Sequence, residues 1–310
     1  VCRKENRMAI IVNTNMSALK TQKNLNNAPN SLQTALERMS TGLKINKAAD
    51  DAAGLYVATN LNTQISGSKV AKNNISTGNN VLSTLEGDLD VILDNLNRIR
   101  DLSVQAANSI YDESAMGAMK DEIDQRLQEI DRISLASNFN GLQLLAGEGQ
   151  LAENGLRLQV GANADSAANA ISLDKTFFAK TDSTTLGSSY DGQLATGSKL
   201  DPDVGLSGNL EEAFMNASSA AQYIDIIDAA IDDISSKKST IGATMNRLDA
   251  ALTSLTTVIE NNTAAKSTIM DADIAEESAE YTKQQILQQT SSALLVQANQ
   301  LPSLALNLIQ

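Results

Sequence analysis

Histidine is absent from this 310-residue chain. With it go the commonest general base, the Ser-His-Asp arrangement and the histidine-based zinc motifs. A single cysteine, Cys2, excludes an internal disulfide or a thiolate cluster. Tryptophan is missing, aromatics make up 3% and there are three prolines, so the core must be aliphatic and its helices seldom broken. No run approaches the ~20 apolar residues that span a bilayer, and no membrane partner is expected. The formal charge of −13 argues against nucleic acid, which needs clustered Lys and Arg. An acid–base site built on Asp and Glu remains formally possible, but these carboxylates fall on helix surfaces. No enzyme is expected, and no catalytic, cofactor or metal site.

What is present is helical periodicity. Leu82, Leu85, Leu89, Ile92, Leu96 and Ile99 recur at alternating gaps of three and four, the heptad spacing of a seam. Asp88, Asp90, Asp94, Asn95, Asn97, Arg98, Arg100 and Asp101 fill most of the remaining positions with groups expected to be solvated. One apolar stripe cannot stabilise a lone helix, so the rest of the chain must cover it.

In chain order, residues 1–7 hold no apolar stretch and read as a short leader or a start taken too early, ahead of Met8. Residues 13–43 predict a helix kinked or broken at Pro29. Asp50 and Asp51 are placed to cap the next helix and to occupy its first turn. That helix runs over 52–108, roughly 85 Å at 1.5 Å per residue. A second, carrying Met116, Met119, Ile123, Leu127, Ile130 and Ile133, folds back on it through a short loop. Asn140-Gly141 and Asn154-Gly155 are hairpin-type turn signals. Leu156, Leu158 and Val160, then Ile171 and Leu173, alternate as half-buried strands do. Residues 183–210, rich in Ser, Thr, Gly and Asp, read as loop. Ile224, Ile227, Ile231, Ile234, Ile241, Met245, Leu248, Leu252, Leu255 and Ile259 form a second long seam with Lys238 at one apolar place. After a break at 270–273 a last helix carries Leu287, Leu294 and Leu301. The fold class expected is mainly α: a long antiparallel coiled-coil or helical-bundle rod with a small β-hairpin region, its N- and C-terminal helices pairing.

Six segments then carry a resemblance: ERMSTGLKINKAADDAAG at 37–54, NRIRDLSVQAAN at 97–108, DQRLQEIDRIS at 124–134, DADIAEES at 271–278, KQQILQQ at 283–289 and VQANQ at 296–300. In this order at both ends, they resemble bacterial flagellin. Two departures stand out: Ala49 where relatives usually carry Lys before the Asp pair, and a terminal Gln310 where Arg is frequent. The large outer domains of many flagellins are missing, with residues 183–210 standing at their place as a short variable surface loop.

The resemblance implies a secreted, extracellular filament subunit, exported through the flagellar type III channel and added under a cap protein to give motility. Residues 8–47 and 272–310 become inner-tube helices, disordered in the free monomer, with Leu25, Leu32, Leu36, Leu287, Leu294 and Leu301 as assembly residues. Residues 48–182 with 211–271 become the rod, its β insert at 139–182. Partners implied are other copies in a helical homo-polymer, an export chaperone, the cap and hook-junction proteins, and Toll-like or plant flagellin receptors. By resemblance the receptor contact is Asn97, Arg98, Leu102, Gln105 and Glu122. The alternatives are a hook–filament junction protein of the same family, a type III needle-tip protein or a coiled-coil adhesin.

Overall fold

The computed structural model describes residues 15–188, 190 and 200–307. The leader assigned to residues 1–7 lies outside them. The chain divides into a terminal unit, Val1–Thr63 with Asn261–Gln310, and a central unit, Gln64–Glu260. Two helices contribute to both, α2 (Ala52–Ala106) and α7 (Ala217–Met270).

In the terminal unit α1 (Met16–Thr41) packs on α8 (Ile274–Asn307). The side chain of Asn15 caps α1 by accepting from Ala18 N at 3.0 Å, and its amide donates to Ala298 O at 2.7 Å. The predicted break at Pro29 is absent, because α1 continues through it. Loss of one backbone donor is tolerated here beside the tertiary contacts with α8, and the Pro29 ring faces solvent. Between the helices the two interruptions in the periodicity pair with one another. Lys44 N donates to Met270 O at 2.7 Å, Ala272 N donates to Gly42 O at 2.9 Å, and Leu43 bridges Asp271. Asp51 caps α2 by accepting from Gly54 N at 2.9 Å. Asp50 is not a first-turn acid of α2: its carboxylate accepts from Asn46 N and Lys47 N at 3.0 and 2.9 Å. Those backbone donors, Lys47 first, hold its pKa below the ordinary value.

The central unit holds the main core. All six seam residues from Leu82 to Ile99 are fully buried with α3 (Glu113–Ala136) and α7. Within the central unit α2 is joined to α7 by Asn79 with Asp249 at 3.1 Å, Asp90 with Lys238, and Asp228 with Arg100 at 2.5 Å. Eleven and then ten residues forward on α2 match eleven and ten backward on α7, so all three share one antiparallel register. Each surface pair alone stabilises little, but a slip by one helical turn would break all three together. Lys238, out of place in the apolar pattern, is thereby accounted for.

The second seam is rotated at its start. Tyr223, Ile226 and Ala230 are fully buried, while Ile224 and Ile231 stay half-buried. Tyr223 turns inward because its hydroxyl donates to Leu206 O at 2.9 Å and its ring meets Phe214 edge-on, centroids 6.3 Å apart. Burial pushes its pKa up.

Strands β1 (Asn138–Phe139) and β2 (Leu142–Gln143) form the expected hairpin, with positive φ at both Asn140 and Gly141. Asn154-Gly155 is not a hairpin turn. Asn154 ends a short helix, α4 (Gln150–Asn154), and Gly155 stops it at φ +72° before β3 (Leu156–Gln159). A Cβ on Gly155 would lie 2.3 Å from Leu173 O, so only glycine fits this corner. After α5 (Ser166–Asn169), β4 (Ala170–Leu173) returns antiparallel to β3, pairing Leu158 with Ile171.

The stretch 183–210 is more than surface loop. Leu186, Leu200, Leu206 and Leu210 are buried, and α6 (Gly205–Ala213) begins inside it. Side chains organise it: Asp131 accepts from Ser183 N and Oγ at 2.7 and 2.9 Å, and Asn209 bonds Asp201 N, Asp201 O and Gly205 O. Positions 189 and 191–199 of this stretch lie outside the described residues.

Candidate assembly surfaces

The terminal helices meet on small residues. Among the described residues Ala28, Ala35, Ser291 and Ala298 are the buried positions of α1 and α8. Both segments are thus helical and paired in the structure, where the sequence reading expects disorder in the free subunit, but the seam between them is thin. Arg38 adds one cross-link, donating to Glu277 Oε1 at 3.0 Å.

Because alanines take the seam, the large side chains point elsewhere. Of the six leucines named for assembly, Leu36 is 52% exposed, Leu294 50% and Leu287 44%. Leu25 and Leu32 are half-buried, and the side chain of Leu301 lies outside the described residues. The apolar surface is wider than the sequence reading allowed, since Met16, Leu19, Ile286 and Val296 are exposed as well. Their signal was present as apolar residues beyond the one stripe that a single partner helix can cover. Exposed large apolar side chains on two paired helices make a candidate interaction surface.

The five residues named for receptor contact separate into two groups. Asn97, Arg98 and Gln105 are exposed and Glu122 is half-buried. Arg98 donates to both oxygens of Glu122 from Nε and Nη2, at 3.0 and 3.4 Å, joining α2 to α3. Arg126 donates twice more to the same carboxylate, and Arg98 foremost holds Glu122 below the usual carboxylate range. Gln105 donates to the Tyr111 hydroxyl at 2.9 Å. Leu102 does not join this surface. It is buried at 3% exposure in the core of the central unit, because at i+3 from Ile99 it continues the seam.

The central unit also carries concavities. A cleft of about 800 Å³ opens where α2 turns into α3 and α6 into α7, lined in part by Tyr111, Met116, Phe214 and Met215. The ion pair of Lys120 with Glu211, at 2.5 Å, closes one wall. Among the described residues no three acidic, histidine or cysteine side chains gather as a metal site, and no helix is long and apolar enough to cross a membrane.

Comparison with known proteins agrees in both halves. The description of the bacterial flagellin N-terminal helical region matches residues 12–150, and that of the C-terminal helical region matches residues 224–309. The flagellar filament 33 kDa core protein of Treponema phagedenis is 34% identical over 310 residues, covering 97% of this chain and all of that one. A flagellin of Halalkalibacterium halodurans is 35% identical over 301 residues, with coverage of 97% and 100%. Among solved structures, a putative flagellar hook-associated protein from Vibrio parahaemolyticus aligns with a TM-score of 0.52 at 15% identity, over 72% of this chain and all of that one. At that identity the likeness is one of fold alone.

Proposed function

This chain belongs to the bacterial flagellin family, and from that premise we propose that it self-assembles into the flagellar filament through its paired terminal helices. Its role as a filament subunit is structural, not enzymatic, as the names of its relatives have it. The observation that carries the assembly reading is the set of exposed leucines, Leu36, Leu287 and Leu294, on two helices whose shared seam is made of small residues. A chain alone leaves that apolar area in water. Burying it against neighbouring copies is worth roughly 25 cal/mol per Å².

The same thinness bears on order in the free subunit. Fixing each backbone residue costs about 1–2 kcal/mol, and a seam of small residues offsets little of that. The terminal helices are therefore marginal until neighbours cover them, which suits export as an unfolded chain through a type III channel and addition beneath a cap. An export chaperone and hook-junction proteins complete the partners proposed, at an extracellular site. Asn97, Arg98, Gln105 and Glu122 present the surface proposed for Toll-like or plant receptors, with Leu102 supporting it from beneath.

The test is assembly by the purified chain. Long tubular filaments in negative stain are expected, and Leu36→Asp with Leu294→Asp should abolish them while the central unit stays folded by circular dichroism. Filaments that persist in the double variant would refute assembly through these helices. The hook–filament junction reading shares the fold, but the relatives above 30% identity named here are filament proteins or flagellins.

A further inference from the structure

We infer that Asn140 is a site of self-modification, where attack by the Gly141 backbone nitrogen converts the side-chain amide to aspartate and isoaspartate. The chain holds two Asn-Gly pairs, at 140–141 and 154–155, which are chemically alike when the chain is unfolded. In each the nucleophile is the glycine nitrogen, left accessible because no Cβ stands beside it. A bond forms from that nitrogen to the asparagine Cγ, and ammonia leaves carrying the proton of the peptide N–H. Water then opens the five-membered imide. Opening at the side-chain carbonyl gives aspartate, and opening at the main-chain carbonyl gives isoaspartate, with an extra carbon in the backbone. One water is taken up and one ammonia is released, so the step needs no cofactor.

The fold separates the two pairs. Asn140 and Gly141 are both exposed, and Gly141 N donates to no group among the described residues. A Cβ on Gly141 would meet nothing within 4 Å, so the nitrogen lies in open space. Strands β1 and β2 pair only at Asn138–Gln143 and Phe139–Leu142, so little structure must open for the ring to close. Asn140 is also held at φ +50°, a left-handed conformation that disfavours side chains, which lowers the cost of leaving it. At the second pair the same nitrogen is engaged. Gly155 N donates to Leu151 O at 2.9 Å, and Gly155 lies close against Leu173 O. The next residue, Leu156, begins the four paired positions of β3 and β4. Ring closure at Asn154 must therefore break a helix end and disturb a ladder. The product matters locally, because residues 133–147 hold no charged side chain and the reaction places a carboxylate among them. Isoaspartate also lengthens a turn whose geometry rests on its two central residues.

Mass spectrometry tests this on the full-length monomer aged in mildly alkaline buffer. Both pairs fall in one tryptic peptide, residues 133–157, so fragment ions rank them within a single spectrum. The amide-to-acid mass gain should appear at Asn140 at least tenfold faster than at Asn154, and protein-isoaspartate methyltransferase should label position 140. In guanidinium the two rates should converge to within about twofold. Asn140→Gln, which would have to close a larger ring, should abolish the gain at 140 and leave that at Asn154 unchanged. Equal rates in the folded chain, a faster Asn154 or no gain at Asn140 would overturn the inference. So would a preference for Asn140 that survives unfolding, since the fold would then not be its source, and so would a gain at 140 that persists in Asn140→Gln.

Discussion

Replacing Leu89 with alanine probes the seam on which the central unit depends. Leu89 lies midway along the six-residue run from Leu82 to Ile99 and is fully buried in the core. Truncation removes three carbons from a site that the rigid helices α2, α3 and α7 cannot fully close. Buried Leu→Ala changes cost about 2.7–5 kcal/mol, partly lost transfer energy and partly the cavity that remains. In a folding unit of about 200 residues each kcal/mol shifts the melting temperature by about 2–4 °C, so a drop on the order of 10 °C is expected. The control is Asp94→Ala, five residues on and exposed on the outer face of α2, with an expected effect within about 0.5 kcal/mol. Urea and thermal melts of the monomer, followed by circular dichroism, measure both. Equal losses from the two substitutions would mean that the stripe does not face the core, and the account of the bundle would fail.

Three other outcomes follow from named groups. Burial lowers the Lys237 pKa to about 8, from 10.5, with its Nζ donating to Thr181 Oγ1 at 2.6 Å. The folded chain thus releases this proton before the unfolded one does, and stability rises with pH between about 8 and 10.5. Lys237→Met should stabilise the monomer at pH 7 by up to about 3 kcal/mol, a gain that fades by pH 10.5; a gain independent of pH would show that burial of charge is not its source. Hydrogen exchange should find Ser31 to Leu43 and Leu287 to Leu301 weakly protected in monomer and strongly in filament, and strong protection in the monomer would refute marginal ends. Arg98→Ala with Gln105→Ala should cut receptor activation by soluble monomer at least tenfold without a change in melting temperature; full activation by that folded variant would remove the site carried over by resemblance.

Periodicity alone determined the long helices. The heptad seam of α2 and the apolar run of α3 are local repeats set by 3.6 residues per turn, and both lie where the spacing puts them. The Asn140-Gly141 hairpin was equally legible, since its turn needs positive φ at both central residues. The family was written in short segments at both ends. Only tertiary contacts decided the rest. Leu102 had the spacing of a surface contact and also that of the seam, and burial resolved which one it serves. Tyr223 displaced the expected isoleucines because Leu206 O, distant by 17 residues, offers its hydroxyl a partner. Residues 183–188 and 200–210 gave no apolar period because side-chain hydrogen bonds from Asp131 and Asn209 shape them. Leu36, Leu287 and Leu294, proposed for assembly, point outward because small residues hold the seam between α1 and α8, which the apolar spacing did not show. A helical repeat states which residues share a face, and the neighbour that covers that face is a property of the folded chain.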